Sequence, residues 1–305
     1  MSSITITMQE TSQTPATQLA EETRGHSLWE DAFRRLLKNK LAIFGASFLI
    51  LEILVAIITP WIAPYGFEIQ DLEQTLTGPS WAHWMGTDNL GRDLFSRVLY
   101  GGRISMMVGI LASFVSTLVG VIYGATSGFL GGKTDNVMMR VVDVLYALPF
   151  VFLVIILMVY FGRNVVLLFV ALGLTQWLTM ARIVRGQVIS LKQKEFIEAA
   201  EAMGISKTAI IFRHLIPNSL GPVIVYLTLT IPSVMLEEAF LSFLGLGVQA
   251  PMASWGTLIS DGVSAMEISP GNLLFPALML SVTLFSLNFL GDGLRDALDP
   301  KGAKD

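Results

Sequence analysis

The apolar residues of this chain come in six long blocks, and nothing constrains its fold more. A helix needs about 20 predominantly apolar residues to cross about 30 Å of hydrocarbon. Six segments reach that length, roughly 41–62, 104–127, 141–161, 164–182, 219–244 and 273–291. Charged residues make up only 14% of the 305, against about 25% in soluble domains, and mean hydropathy is +0.63. An all-α integral membrane protein with six transmembrane helices is expected, not a soluble globule. The absence of cysteine excludes a disulfide framework and any thiolate ligand or nucleophile. The net charge of −4 is too small to point to nucleic acid.

The distribution of charge predicts orientation. With the N-terminus inside, 16 of the 20 Lys and Arg residues fall in cytoplasmic segments, and only Arg92, Arg97, Arg103 and Arg163 fall outside. This excess of inner positive charge places both termini in the cytoplasm. The division that follows is a polar, disordered tail over 1–26, an amphipathic lead-in with the first span over 27–62, an outer loop over 63–103, a five-helix core over 104–291 containing a long inner loop at 183–218, and a cytoplasmic tail over 292–305. The first span exceeds a signal peptide's apolar stretch and is read as a retained anchor.

Within the spans, Ala112, Ser116, Gly120, Gly124 and Gly128 recur every four residues. Such a stripe of small side chains lets helix backbones approach closely, so it is read as a helix-packing face. Prolines 149, 222, 232 and 276 fall inside expected spans and predict kinks. Glu52 lies mid-span and must face protein or water, since an unpaired carboxylate there costs about 2.5–3.5 kcal/mol. It is read as an interhelical hydrogen-bond partner or a pathway residue. Glu237 and Glu238, near the outer end of the fifth span, are read as anchors of the outer loop or pathway residues.

No catalytic constellation is visible. His26, His83 and His214 are scattered over a tail, an outer loop and an inner loop, so they build no metal site and are read as incidental. The stretch Gly128–Thr134 resembles a phosphate-binding loop, but position 127 is serine where the pattern needs glycine, and a membrane helix rather than a strand precedes it. It is read as a glycine-rich turn.

The inner loop has a design. In 194–204 the apolar Phe196, Ala200 and Met203 recur at helical spacing, with Glu195, Glu198 and Glu201 away from them. Gly204 is placed to end this short amphipathic helix, and Ser206 to cap a second one that runs to Pro217. Ala199, Ala200, Ala202 and Gly204 leave a smooth surface flanked by carboxylates, suited to a protein groove. A helix lying on lipid would carry a basic polar face instead.

Glu198-Ala199-Ala200, then Gly204, then Pro217 resembles the EAA loop of ABC importer permeases. The chain departs from that pattern at His214 and Ile216, where the family carries Ile and Leu, but keeps its Glu, Gly and Pro. The segments Gly86–Asp93 with Ser96-Arg97 and Gly101–Arg103, Leu241–Gly247 with Ser254-Trp255-Gly256, and Gly291–Pro300 are similar to the dipeptide, oligopeptide and nickel branch of that family, and within it to the second ("C") permease of oligopeptide importers. The likeness spans roughly residues 27–300. It implies a type I ABC importer permease in the inner membrane of a bacterium, paired with a second, homologous permease. It also implies two cytoplasmic ATPase subunits, which would hold ATP and Mg, while this chain binds no cofactor and catalyses nothing. A coupling helix would engage those ATPases through Glu198, Ala199, Ala200, Met203, Gly204 and Pro217, and an extracytoplasmic peptide-binding protein would deliver cargo. Dipeptides, nickel chelates and glutathione-like compounds are alternative cargoes. A proton-coupled secondary transporter, with Glu52 or Glu237 as carrier, is the rival from another class.

Overall fold

The computed structural model describes residues 28–162 and 164–298. The expected disorder over 1–26, Arg163 and the last residues of the chain lie outside them. Helices carry nearly all the regular structure, with a single isolated bridge, Thr87 to Asp93, among the described residues.

A short helix α1 (Leu28–Leu36) leads into α2 (Lys40–Ile62). Asn39 starts α2 by accepting the backbone N–H groups of Leu41 and Ala42 at 3.1 and 3.2 Å, which satisfies two of the donors a helix start leaves free. Ala42, Gly45, Leu49, Glu52 and Thr59 form one buried stripe, while Leu41, Phe44, Ile50, Leu51 and Leu54 are exposed. That is the pattern of a helix with one protein-facing seam and lipid around the rest. The seam packs on α11 (Gly271–Leu298) so closely that a Cβ on Gly45 would strike the Ser286 carbonyl.

The second span starts earlier than its hydropathy suggests. α3 covers Leu94–Leu130, 37 residues, so the preceding connection is 63–93 and not 63–103. Asp93 caps it through the Ser96 N–H at 2.8 Å. Arg97 made its first turns read as loop, yet that side chain is buried against Asp88. Charge paired inside protein does not stop a helix.

The third span departs most from expectation. α4 (Gly132–Tyr146) and α5 (Phe150–Phe161) meet at an angle of 82°. Pro149, expected to kink one continuous span, instead sits at the break between two helices. It disfavours helical backbone at Leu148 and has no N–H to continue the ladder. The 12 residues of α5 reach only about 18 Å at 1.5 Å each.

α6 (Val165–Leu191) continues nine residues beyond the expected 182 because Val184 and Val188 bury one helical face against α3. α9 (Leu220–Phe243) and α10 (Trp255–Ala265) complete the bundle, and α11 runs past 291 to Leu298. Five helices, α2, α3, α6, α9 and α11, are long and apolar enough to cross a membrane, and α4 with α5 makes a sixth if the bent pair is one span.

α3 and α6 form the most extensive helix pair. Gly120, Gly124 and Gly128 all face α6: a Cβ on Gly120 would lie 2.6 Å from the Met180 Cβ, one on Gly124 would strike the Ala181 carbonyl, and one on Gly128 would lie 2.8 Å from the Arg185 carbonyl. Ala112 continues the line and packs with Leu168, Ala171 and Leu172. Ser116, also buried, donates to the Ser113 carbonyl of its own helix.

Candidate functional site

The inner loop is a compact helical appendage fixed to the ends of α3 and α6. α7 (Glu195–Ala202) begins with Glu195 and Glu198 in its first turn, where carboxylates complement the helix dipole. It ends in a two-bond cap: the Ile205 N–H donates to the Ala200 carbonyl at 3.1 Å and the Gly204 N–H to the Glu201 carbonyl at 3.0 Å. This arrangement requires left-handed backbone at Gly204, whose φ is +74°. Ser206 then caps α8 (Lys207–Ile210), accepting the Ala209 N–H at 3.3 Å.

α8 widens into a π turn over Ile211–Leu215 before a last helical turn, Ile216–Asn218. Pro217 cannot donate a backbone hydrogen bond, and a wide turn just before it absorbs the mismatch. The Asn218 side chain donates to the His214 carbonyl at 2.6 Å, keeping that acceptor satisfied.

The faces of α7 differ from their expected assignment. Ile197 and Ala200 are the buried pair, packed among Ile210, Ile211 and Leu215 and against Val184 and Val188 of α6 and Phe129 of α3. Phe196 and Met203, expected on that stripe, are 42% and 73% exposed. Helical spacing alone allows that stripe, but the short helix reaches the core through Ile197. The outward surface is therefore Glu195, Phe196, Glu198, Ala199, Glu201, Ala202, Met203 and Gly204. Ala200 supports it from beneath, and Pro217 is exposed nearby.

Polar ties fix the neighbouring helices. Arg185 of α6 forms a bidentate pair with Asp135 of α4, both bonds at 2.6 Å, and Ser127 of α3 donates to the same carboxylate. Lys192 donates to the Phe129 carbonyl at 2.7 Å. A cleft of about 520 Å³ between these helix ends and Glu198 and Glu201 completes the surface. The glycine-rich stretch 128–134 is the joint between α3 and α4, with Gly131 and Gly132 both at positive φ.

The three membrane glutamates separate by environment. Glu52 is buried between α2 and α11, where Thr283 donates to Oε1 at 2.6 Å and Oε2 has no partner. Glu238 is enclosed, accepting from the hydroxyls of Ser242 at 2.7 Å and Ser254 at 2.6 Å, and so ties α9 to the start of α10. Glu237 is half-buried, bonded to Gln176 of α6 at 2.6 Å, with Oε2 unpartnered. Gln176 carried no signal in the sequence.

At the far end of α3 lies a polar cluster built from Gly86–Asp93 and Trp255, segments that carried the family likeness but to which the sequence reading gave no site role. Asp88 receives the Arg92 Nε at 2.7 Å and an Arg97 Nη. His83, expected to be incidental, is buried and pairs through Nδ1 with Asp93 at 2.8 Å. Trp255 fills the space over Gly102 and donates from its ring to the Val98 carbonyl at 3.0 Å. Among the described residues no group of His, Asp and Glu could hold a metal.

Residues 116–304 match the family of binding-protein-dependent transport system inner membrane components. The chain belongs to that family. Residues 27–79 also match the N-terminal transmembrane domain of oligopeptide transport permease C. The oligopeptide transport system permease protein OppC of Escherichia coli (strain K12) is 53% identical over 282 residues, covering 92% of this chain and 93% of the relative. Its counterpart in Bacillus subtilis (strain 168) is 47% identical over 275 residues, covering 90% of each. In shape the chain is similar to the MetNI methionine ABC transporter in an inward-facing conformation, with TM-score 0.52 at 20% identity, covering 68% of this chain and 98% of that one. That likeness extends to fold alone. As a family member the chain is a membrane permease subunit and not an enzyme.

Proposed function

We propose that this permease forms half of the translocation pathway of an ATP-driven importer of peptides, with oligopeptides favoured over dipeptides, nickel chelates or glutathione by the names of its relatives. It would cross the inner membrane six times, counting α4 and α5 as one broken span, with both termini in the cytoplasm. Its partners would be a second homologous permease, two cytoplasmic ATPases that hold ATP and Mg, and an extracytoplasmic peptide-binding protein.

One observation carries this reading. α7 presents an acidic outer face with small residues, while its inner face is packed onto α3 and α6. A partner that grips α7 through Glu198, Ala199, Met203 and Gly204 would move those helices as one body. Docking geometry that changes with nucleotide then becomes alternating access. Ala200 and Pro217 would act by shaping the loop. Of the three glutamates, Glu237 is the pathway candidate, because Glu52 is buried against α11 and Glu238 against the start of α10.

The test is uptake by the purified complex in vesicles. Uptake should stop without ATP and persist when the proton gradient is collapsed, whereas a proton-coupled carrier would show the reverse. Glu198→Arg should abolish ATPase co-purification while leaving insertion intact. Wild-type co-purification by that variant would remove the docking role.

A further inference from the structure

The geometry points to a carboxylate-binding site in the cavity at the N-terminal end of α3, with the free guanidinium edge of Arg92 as its principal donor and the terminal carboxylate of a short peptide as its ligand. The cavity measures about 330 Å³ and is lined by Arg92, Arg97, Gln249, Thr257, Ser260 and Asp261, among others. Its size falls within the range of about 300–1,000 Å³ found for small-molecule sites.

The argument rests on donors left over. Arg92 is only 7% exposed, so each of its donors should find an acceptor. Its Nε is engaged by Asp88, but its two Nη atoms have no partner among the described residues and face the solvent-accessible space of the cavity. Arg97, 3% exposed, shares the same Asp88, so one carboxylate serves two guanidinium groups. Asp88 is further occupied by the backbone N–H groups of Leu90 and Arg92. The other nearby carboxylates leave the Arg92 fork unmet. Asp93 is taken by His83 and the Ser96 N–H. Asp261 is half-exposed and lies 3.6 Å from an Arg97 Nη.

A guanidinium held in place by Asp88, with its two-pronged edge open to a cavity, matches a carboxylate with two parallel bonds. Asp88 already fixes the orientation of the fork, so little side-chain freedom is lost when the ligand arrives. This inference rests on the peptide-permease reading, which ATP-dependent uptake by the wild-type complex tests separately.

The binding experiment needs no nucleotide and no binding protein. The purified transporter complex in lipid nanodiscs is titrated with N-acetyl-trialanine and with its C-terminal amide, following thermal unfolding. The acid should stabilise the wild-type complex and the amide should not. Arg92→Gln should weaken acid binding by at least tenfold. Asp261→Asn, which removes a negative charge from the half-exposed rim, should strengthen it severalfold and keeps the proposal testable if the Arg92 variant misfolds. Equal effects of acid and amide, or no effect of the acid, would overturn the proposal. So would undiminished acid binding by a folded Arg92→Gln complex, or unchanged affinity in Asp261→Asn.

Discussion

Replacing Gly204 by alanine isolates backbone conformation from every other contribution the residue could make. Its φ of +74° lies in the left-handed region, and nothing stands within 4 Å of where a Cβ would be placed. The substitution therefore meets no steric obstacle and removes no packed atom. Its whole cost is the strain of an L side chain in left-handed backbone, about 1–2 kcal/mol. That strain acts on a helix of only eight residues, held by Ile197, Ala200 and the two capping bonds. If the outward face must be preformed for docking, 1–2 kcal/mol converts to roughly 5- to 30-fold weaker binding of the purified ATPase to the permease complex. Asparagine tolerates this backbone better than alanine, so Gly204→Asn should retain binding within about threefold. Both variants should reach the membrane at wild-type levels, because the spans are untouched. Wild-type affinity in Gly204→Ala, or a larger loss in Gly204→Asn than in Gly204→Ala, would refute the argument from φ.

Other expectations test packing, chemistry and orientation. Gly124→Val should force α3 away from the Ala181 carbonyl and destabilise the folded permease by about 1–3 kcal/mol, read as a lowered unfolding temperature in detergent. Glu52→Gln retains an acceptor for Thr283, so ATP-driven uptake should stay within twofold of wild type. Loss of uptake in that variant would instead give Glu52 a role in transport. The chain has no cysteine, so single cysteines introduced at the exposed positions Asn89 and Lys207 can be labelled without background and should be accessible from opposite sides of the membrane.

What the sequence made legible follows the scale of the signal. Blocks of 20 apolar residues average out local accidents, so α2, α6, α9 and α11 were visible to within about two and a half turns. The cap at Gly204 was equally visible, because a glycine after an amphipathic run has a specific backbone use. Hydropathy failed wherever charge was satisfied within the protein. The first turns of α3 carry Arg97, and only a folded structure shows it neutralised by Asp88 from nine residues earlier in the chain. The break at Pro149 was misread for a related reason. The apolar composition of 141–161 is the same whether the chain runs straight or turns by 82°, so composition could not see it, and the proline was taken for a kink within one helix.

The inner loop shows the limit at the smallest scale. Eight residues offer two turns, and in two turns the stripe through Phe196, Ala200 and Met203 and the one through Ile197 and Ala200 share a member. Periodicity alone cannot choose between them. The choice is made by neighbours distant in sequence, Phe129 on α3 and Val184 and Val188 on α6, which leave room for Ile197 and turn Phe196 and Met203 outward. That outcome bears on docking. Two flexible apolar side chains at the solvent face of a carboxylate-rich helix can enter a partner's cleft, whereas the same side chains turned inward would have left a partner only charge to hold.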